Sequence, residues 1–322
     1  LRHFRAEYER HISQKRCDAF VCRQLVGAPC HAACPTGTEP WRYIAHLARG
    51  EYEEAYRAIR ETNPFPSVCA RVCDHKCETH CRLGTTGGEA IAIRELKRVI
   101  TERVDPSTYQ PPRAPANGVR VAVVGSGPAG LTAAHHLSLL GYAVTVFEAE
   151  SQPGGMLVSG IPAYRLPREV LRREIDSLFD ENMTLKCSSA LGRDFTLDSL
   201  AGEGFRAVFL ALGAHKSRQL GVDGEDAVGV LPVMHFLKAF NLFGEELAHG
   251  RVGVVGGGNS AIDAARVALR QKGVECVTIF YRRTREEMPA FKEEIEAALA
   301  EGIKLVTLVA PTKVQSRDKR LT

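Results

Sequence analysis

No stretch of this sequence approaches the ~20 consecutive apolar residues that a membrane-spanning helix needs, and no signal peptide opens it. Membrane insertion is therefore not expected. A large charge of one sign is missing too: 42 basic against 38 acidic residues leave a formal net charge of +4 over 322 residues, with both signs interspersed. That balance gives no case for nucleic acid as a partner. Charged and apolar fractions of 25% and 44% are ordinary for a globular protein, which excludes a disordered chain. A cytosolic, cytoplasmic setting is the expectation. The chain opens on Leu1 rather than Met, and we expect a piece of a longer polypeptide.

What the sequence does contain is organised around Val121-Ala-Val-Val-Gly125-Ser126-Gly127-Pro128-Ala129-Gly130, an apolar β-branched run feeding a glycine turn and then an alanine-rich helix start. In such a strand–turn–helix unit the first glycine makes the tight turn, the second lets the backbone approach a pyrophosphate, and the third lets helix and strand pack closely. The helix N-terminus then faces the anion. A second apolar run, Ala143 to Phe147, ends at Glu148, where an acid can bond a ribose hydroxyl.

The unit recurs as Val252-Gly-Val-Val-Gly256-Gly-Gly258-Asn259-Ser260-Ala261. Two such units imply two dinucleotides. Here the following strand, Cys276 to Tyr281, ends in Arg282 and Arg283, with Arg285 beyond, and no acid. Guanidinium groups at that place suit the 2′-phosphate of NADP, as an acid suits the 2′-hydroxyl of NAD.

Cysteine is crowded into the start: Cys17, Cys22, Cys30, Cys34, Cys69, Cys73, Cys77 and Cys81 precede residue 82, and only Cys187 and Cys276 follow. Disulfides would suit a secreted scaffold, whereas dinucleotide loops argue for a reducing compartment and so for metal. Zinc sites favour paired CxxC knuckles; the spacings here are CxxxxC, CxxxC followed by Pro35, and CxxxC repeated from Cys69 to Cys81. CxxxCP closes a bacterial iron–sulfur motif, in which the last cysteine serves a different cluster from its neighbours. Two [4Fe–4S] clusters are favoured over zinc or idle thiols. His31, His75 and His80 lie among these cysteines and read better as surface histidines than as ligands.

Helical patterns are expected over 1–15, from Thr36 with Thr38 as N-cap to Gly50, over Glu51–Glu61, and over Glu89–Arg103. Four prolines between Asp105 and Asn117 make an extended linker. Downstream we expect helices over Arg168–Glu181 and from Met288 to Glu301, strands over Thr184–Cys187, Ala207–Ala211 and Lys304–Val309, and no element over Lys313–Thr322. The expected fold is α/β, with a small helical iron–sulfur domain followed by two nested Rossmann-like dinucleotide-binding domains. Their limits are set at 1–113, 114–224 and 225–322.

The run Cys30 to Lys97, the turn Gly125 to Gly130, Gly154-Gly155-Met-Leu157 and Gly160-Ile-Pro-Ala-Tyr-Arg165-Leu-Pro167 together resemble the glutamate synthase small-subunit family, which includes the N-terminal part of dihydropyrimidine dehydrogenase. The resemblance covers nearly the whole chain. It implies an adrenodoxin/glutathione-reductase-like arrangement carrying FAD, an NADPH site and two [4Fe–4S] clusters, which passes electrons between the nicotinamide and a partner. It implies Cys17, Cys22, Cys30 and Cys81 for one cluster and Cys34, Cys73 and Cys77 for the other. The remaining ligand of the second stays open between Cys69 and Glu95, since the position that is a polar ligand in some relatives is here Lys97. It further implies Gly154, Gly155 and Leu157 beside the isoalloxazine, Arg165 facing flavin phosphate or ring, and Gly213 approaching the dinucleotide again. Leu1 to Gln24 is similar to the tail of the flavoprotein subunit of complex I-like NADH dehydrogenases.

Such relatives return to the flavin domain through a Gly-Asp motif that does not occur before Thr322, so FAD binding is expected of the parent protein and weakened in this stretch. Three functions compete. An NAD(P)H-dependent oxidoreductase working with a redox partner subunit or fused domain in a hetero-oligomeric complex is favoured, with no catalytic acid or base required. A dithiol reductase of thioredoxin-reductase type would need a CxxC between the two glycine turns, and none is present. A cofactor-bearing assembly scaffold would show the same binding motifs.

Overall fold

The computed structural model describes residues 27–317 and 320–321. The expected helix over 1–15, Cys17 and Cys22 lie outside the described residues. The chain divides into two units: one comprises the residues up to Pro66 together with His75–Asp105, the other Ser67–Asp74 together with Pro106 onward.

The described part of the first unit is helical. Its main helices are Pro40–Ala48, Tyr52–Arg60 and Ile93–Arg103. Each exists because its apolar residues recur every three to four positions: Ala55, Tyr56 and Ile59 on one, Ile93 and Ile100 on another, all buried together with Tyr43. Gly50, at φ +76, separates the first two. Thr38 is not the N-cap. Its hydroxyl is buried against that of Thr36 at 2.8 Å, and the helix opens at Pro40, whose fixed φ suits the first turn. The last of the three starts at Ile93 rather than Glu89.

The second unit holds two parallel sheets. In the first, β1 (Arg120–Val124), β2 (Ala143–Phe147), β3 (Met183–Lys186) and β4 (Ala207–Leu210) lie in the order β3-β2-β1-β4. Val123, Val144, Val146 and Met183 pack on one face, and Ala122, Val124, Phe147, Leu200 and Phe205 on the other. Burial on both sides explains the unbroken apolar runs of β1 and β2. In the second sheet, β5 (Gly250–Val255), β6 (Val274–Tyr281) and β7 (Lys304–Thr307) lie in that order. These strands alternate, and their inward residues Val277, Ile279 and Tyr281 meet Ile262, Ala265 and Ile295 of the covering helices.

The second unit also departs from the expected elements. The helix from Arg168 stops at Asp176, where the Ser177 hydroxyl donates to the Glu174 carbonyl at 2.7 Å and competes with the backbone ladder. The helix after β6 begins at Lys292; a 3₁₀ turn over Arg285–Glu287, closed by a Thr284–Glu287 capping box, occupies the ground before it. Ser316–Arg317 and Arg320–Leu321 pair as a short antiparallel β8–β9 ladder, where no element was expected.

Candidate functional site

The first glycine turn leaves β1 between β2 and β4. Gly125 has φ +105, and a Cβ there would sit 2.3 Å from the Ala211 carbonyl oxygen; one on Gly130 would sit 1.9 Å from the Gly125 carbonyl oxygen. Both positions are closed to any side chain. Gly127 differs: a Cβ there would meet nothing within 4 Å, so backbone and open space adjoin at the head of the Pro128–Leu139 helix. Pro128 and Ala129 of the first helical turn are exposed. That combination suits a pyrophosphate seated on the helix N-terminus.

Glu148, at the end of β2, is 7% exposed. It accepts hydrogen bonds from the backbone N–H and the hydroxyl of Ser126, the former at 2.9 Å, and from the Glu150 N–H at 2.9 Å. The acid expected at a ribose thus also clamps the turn. Gly154 joins the same structure, its N–H donating to the Ser126 carbonyl at 3.0 Å, and Gly155 at φ +53 opens the Met156–Ser159 helix. Leu157 faces the core, buried, and Gly213 is exposed just past β4.

Arg165 does not stand free for a flavin phosphate. Its side chain is buried between two carboxylates, 2.7 Å from Asp263 and 2.8 Å from Glu294. Tyr164, next to it, lies under the guanidinium groups of Arg266 and Arg270, each 4.5 Å from the ring centre. Arg266 in turn pairs with Glu294 and Glu301, both at 2.7 Å. Asp263 escaped the sequence reading. It lies one turn beyond Asn259, and burial raises its acid to about 6 against the pull of Arg165.

The second turn follows β5. Gly257 packs against Tyr281, whose ring would lie 2.5 Å from an added Cβ, while Gly258 adjoins open space at the head of the Asn259–Leu269 helix. Asn259 accepts from the Phe291 N–H at 3.0 Å, which fixes the chain after β6; Ala261 is buried beneath the turn. Asn259, Ser260 and Asp263 line a cleft with Gly160, Ile161 and Val72. Val255 pairs with Phe280 in register, so the residues after Tyr281 emerge at the same sheet edge as the turn. Arg282, Arg283 and Arg285 are all exposed there. Arg285 reaches Glu296 only at 4.0 Å, and no ion pair engages Arg282 or Arg283 among the described residues.

Among the described residues, Cys30, Cys34, Cys69, Cys73, Cys77 and Cys81 form no disulfide. Among the described residues no three side chains close into a metal shell. The surroundings nonetheless suit thiolate. Burial pushes the Cys34 thiol up, but the Thr36 hydroxyl at 3.2 Å, backbone N–H groups of Thr38 and Thr36, and the charge of Lys97 outweigh it and hold the thiol below its ordinary value. Backbone N–H groups of Ile91, Gly84 and Leu83 do the same for Cys81. Burial leaves the Cys30 thiol raised. Tyr43 is 0% exposed, its hydroxyl has no hydrogen-bond partner among the described residues, and burial, with added repulsion from the Cys77, Cys34 and Cys30 thiols, raises it. A buried donor beside soft sulfur ligands fits an iron–sulfur cluster by the chemistry of its donor set. Of the alternatives for a further ligand, Glu95 is exposed beside Arg94, whereas Cys69 is half-buried. His75 receives a contact from the Arg94 guanidinium at 3.1 Å, and His80 contacts the Lys76 carbonyl at 2.9 Å.

Comparison with known proteins agrees with this arrangement. Residues 2–108 match the family described as dihydropyrimidine dehydrogenase domain II, 4Fe-4S cluster, and residues 119–322 match pyridine nucleotide-disulphide oxidoreductase. The chain is 40% identical to the NADPH-Fe(3+) oxidoreductase subunit beta of Geobacter sulfurreducens over 98% of its own length, but spans only 48% of that protein. It is 32% identical to the glutamate synthase [NADPH] small chain of Azospirillum brasilense, over 95% of this chain and 67% of that one. The fold is like that of Mycobacterium tuberculosis FprA in complex with NADPH, at 20% identity and a TM-score of 0.51, over 63% of this chain and 62% of that one. The expected family, and the order of an iron–sulfur region before an α/β oxidoreductase region, are borne out. By its fold, its paired glycine turns and these matches, the chain belongs to the pyridine nucleotide-disulphide oxidoreductase family, among the glutamate synthase small-chain relatives.

Proposed function

We propose that this chain is the nicotinamide side of an electron-transfer oxidoreductase, divided as 1–113, 114–224 and 225–322. NADPH binds at the second turn, through Gly256, Gly258, Ser260, Ala261 and the arginines after β6. FAD binds at the first, through Gly125 to Gly130, Glu148 and the Gly154–Gly155 pair. Two [4Fe–4S] clusters are held by the N-terminal cysteines and discharge to a redox partner. The flavin supplies the conversion of a hydride into single electrons. The protein's own residues hold the cofactors: open glycine backbone at Gly127 and Gly258 admits pyrophosphate, and exposed guanidinium groups meet a 2′-phosphate.

The observation that carries this reading is the asymmetry of the two units, one ending in the buried acid Glu148 and the other in exposed Arg282 and Arg283. The relatives' names, a subunit beta and a small chain, support a hetero-oligomeric setting. A cytoplasmic location follows from the need to keep six or more thiols reduced. Among the described residues no helix is long and apolar enough to cross a membrane.

Anaerobic absorption spectroscopy on the full-length protein tests it. NADPH should bleach flavin bands and then the broad iron–sulfur absorbance, and iron should approach about eight atoms per chain for two four-iron clusters. Flavin and cluster bands that NADPH leaves untouched would favour a scaffold, and zinc at comparable stoichiometry would remove the clusters from the account.

A further inference from the structure

Ser67–Asp74 belongs with the α/β unit rather than with the residues that flank it in sequence. This stretch holds Cys69 on the Pro66–Val72 helix and Cys73 one turn further, with the Cys73 N–H donating to the Cys69 carbonyl at 3.3 Å. It is fixed by Glu174, a carboxylate more than a hundred residues away in sequence. Glu174 is 0% exposed; its Oε1 accepts from the Ser67 N–H at 2.6 Å and its Oε2 from the Val68 N–H at 2.9 Å. The opening N–H groups of a helix have no partner within it, and a buried carboxylate is costly unless hydrogen-bonded, so each satisfies the other.

The helix that presents Glu174 also reaches the first dinucleotide turn. Ile175, the next residue, places its Cδ1 3.4 Å from where a Cβ on Gly154 would sit, and Gly154 is bonded to Ser126 of the turn at 3.0 Å. Val72, between the two cysteines, walls the same cleft as Met156 and Gly160 just after the glycine pair. One continuous set of contacts thus runs from the turn through Gly154, Ile175 and Glu174 to Ser67 and the thiols.

We propose that Glu174 is a positioning residue that fixes the Cys69–Cys73 segment against the glycine-pair end of the first dinucleotide site, and so sets the spacing over which electrons leave that site for a thiolate-held cluster. The proposal rests on the electron-transfer reading above. A carboxylate serves better than a neutral amide because both oxygens accept, and the two N–H groups it receives are adjacent on one helical turn.

The test uses the full-length protein with Glu174→Ala and Glu174→Gln, which retains one acceptor oxygen. Amide hydrogen exchange at Ser67 and Val68 reads the cap without any cofactor. Stopped-flow spectroscopy with NADPH reads flavin and cluster reduction separately. Glu174→Ala should lose protection at both amides and keep wild-type flavin reduction, while cluster reduction slows about tenfold, the loss typical when a residue supporting metal ligands is removed. Glu174→Gln should fall between, and it decides the matter alone if the alanine variant does not fold. Unchanged protection, or lost protection with cluster reduction at the wild-type rate, overturns the proposal. A wild-type protein with protected amides but no NADPH-reducible cluster would instead bring down the electron-transfer reading, and with it any such role for Glu174.

Discussion

Arg282 and Arg283 stand where a reader of the 2′-hydroxyl would carry an acid, and both are exposed without an ion pair among the described residues. A charge-assisted bond from guanidinium to phosphate is worth about 1.5–3 kcal/mol before solvent weakens it. At ~1.4 kcal/mol per decade, Arg282→Ala or Arg283→Ala should raise the KM for NADPH about tenfold in the full-length protein and leave that for NADH unchanged. Equal loss of both nicotinamides would mean that the arginines do not read the phosphate. Asp263 makes a second prediction. Its folded-state value of about 6 lies above the ~3.9 of an unfolded aspartate, so the folded chain binds its proton more tightly. Its contribution to stability is present in full at low pH and shrinks as pH rises through that window. Asp263→Asn cannot titrate. The difference in unfolding free energy between wild type and variant should therefore shift by on the order of 2 kcal/mol between pH 4 and pH 7, against wild type at the higher pH. A difference flat in pH would show that Arg165 keeps Asp263 ionised throughout.

At the scale of elements, the glycines of one turn divide into two kinds. Gly130 is enclosed, its missing Cβ blocked by backbone at 1.9 Å, whereas Gly127 borders open space. Gly130→Ala should therefore lower the unfolding midpoint, because strand and helix must separate. Gly127→Ala should leave the midpoint unchanged and weaken FAD binding, because its methyl group would stand where a pyrophosphate approaches. Circular dichroism melting beside flavin fluorescence separates the two outcomes, and a Gly127 variant that melts early would contradict the assignment. These turns were legible in the sequence because their chemistry is local: strand, glycine spacing and helix start are adjacent. The acid-versus-arginine contrast was legible for the same reason. What escaped was made by tertiary packing. Glu174 sits in a helix rich in Arg and Glu, which reads as a solvated face, and only the folded chain turns it inward onto Ser67 and Val68. Arg165 looked like an anion reader, yet its partners Asp263 and Glu294 come from helices about a hundred residues downstream. Thr38 lost its cap role to Pro40 for a local reason, since a proline at the first helical position fixes where the helix opens.

Over the whole molecule, apolar surface is unevenly covered. Both parallel sheets of the α/β unit leave large side chains in solvent: Phe209 at 43%, Leu210 at 51% and Leu212 at 51% on and just after edge strand β4, and Val306 at 38% and Leu308 at 71% on and just after β7. Scattered exposed leucines are normal, but runs along edge strands are binding or aggregation surfaces, since unpaired backbone and apolar side chains coincide there. Expressed at this length, the protein should therefore bind a hydrophobic reporter dye in its native state and self-associate as concentration rises. Leu210→Lys with Leu212→Lys should reduce both, because charge on an edge strand opposes pairing with another chain. Neither residue is in the core, so the unfolding midpoint should change by less than about 0.5 kcal/mol in free-energy terms. Dye fluorescence and sedimentation velocity on the two proteins decide it: equal dye binding and equal association would place the sticky surface elsewhere than β4.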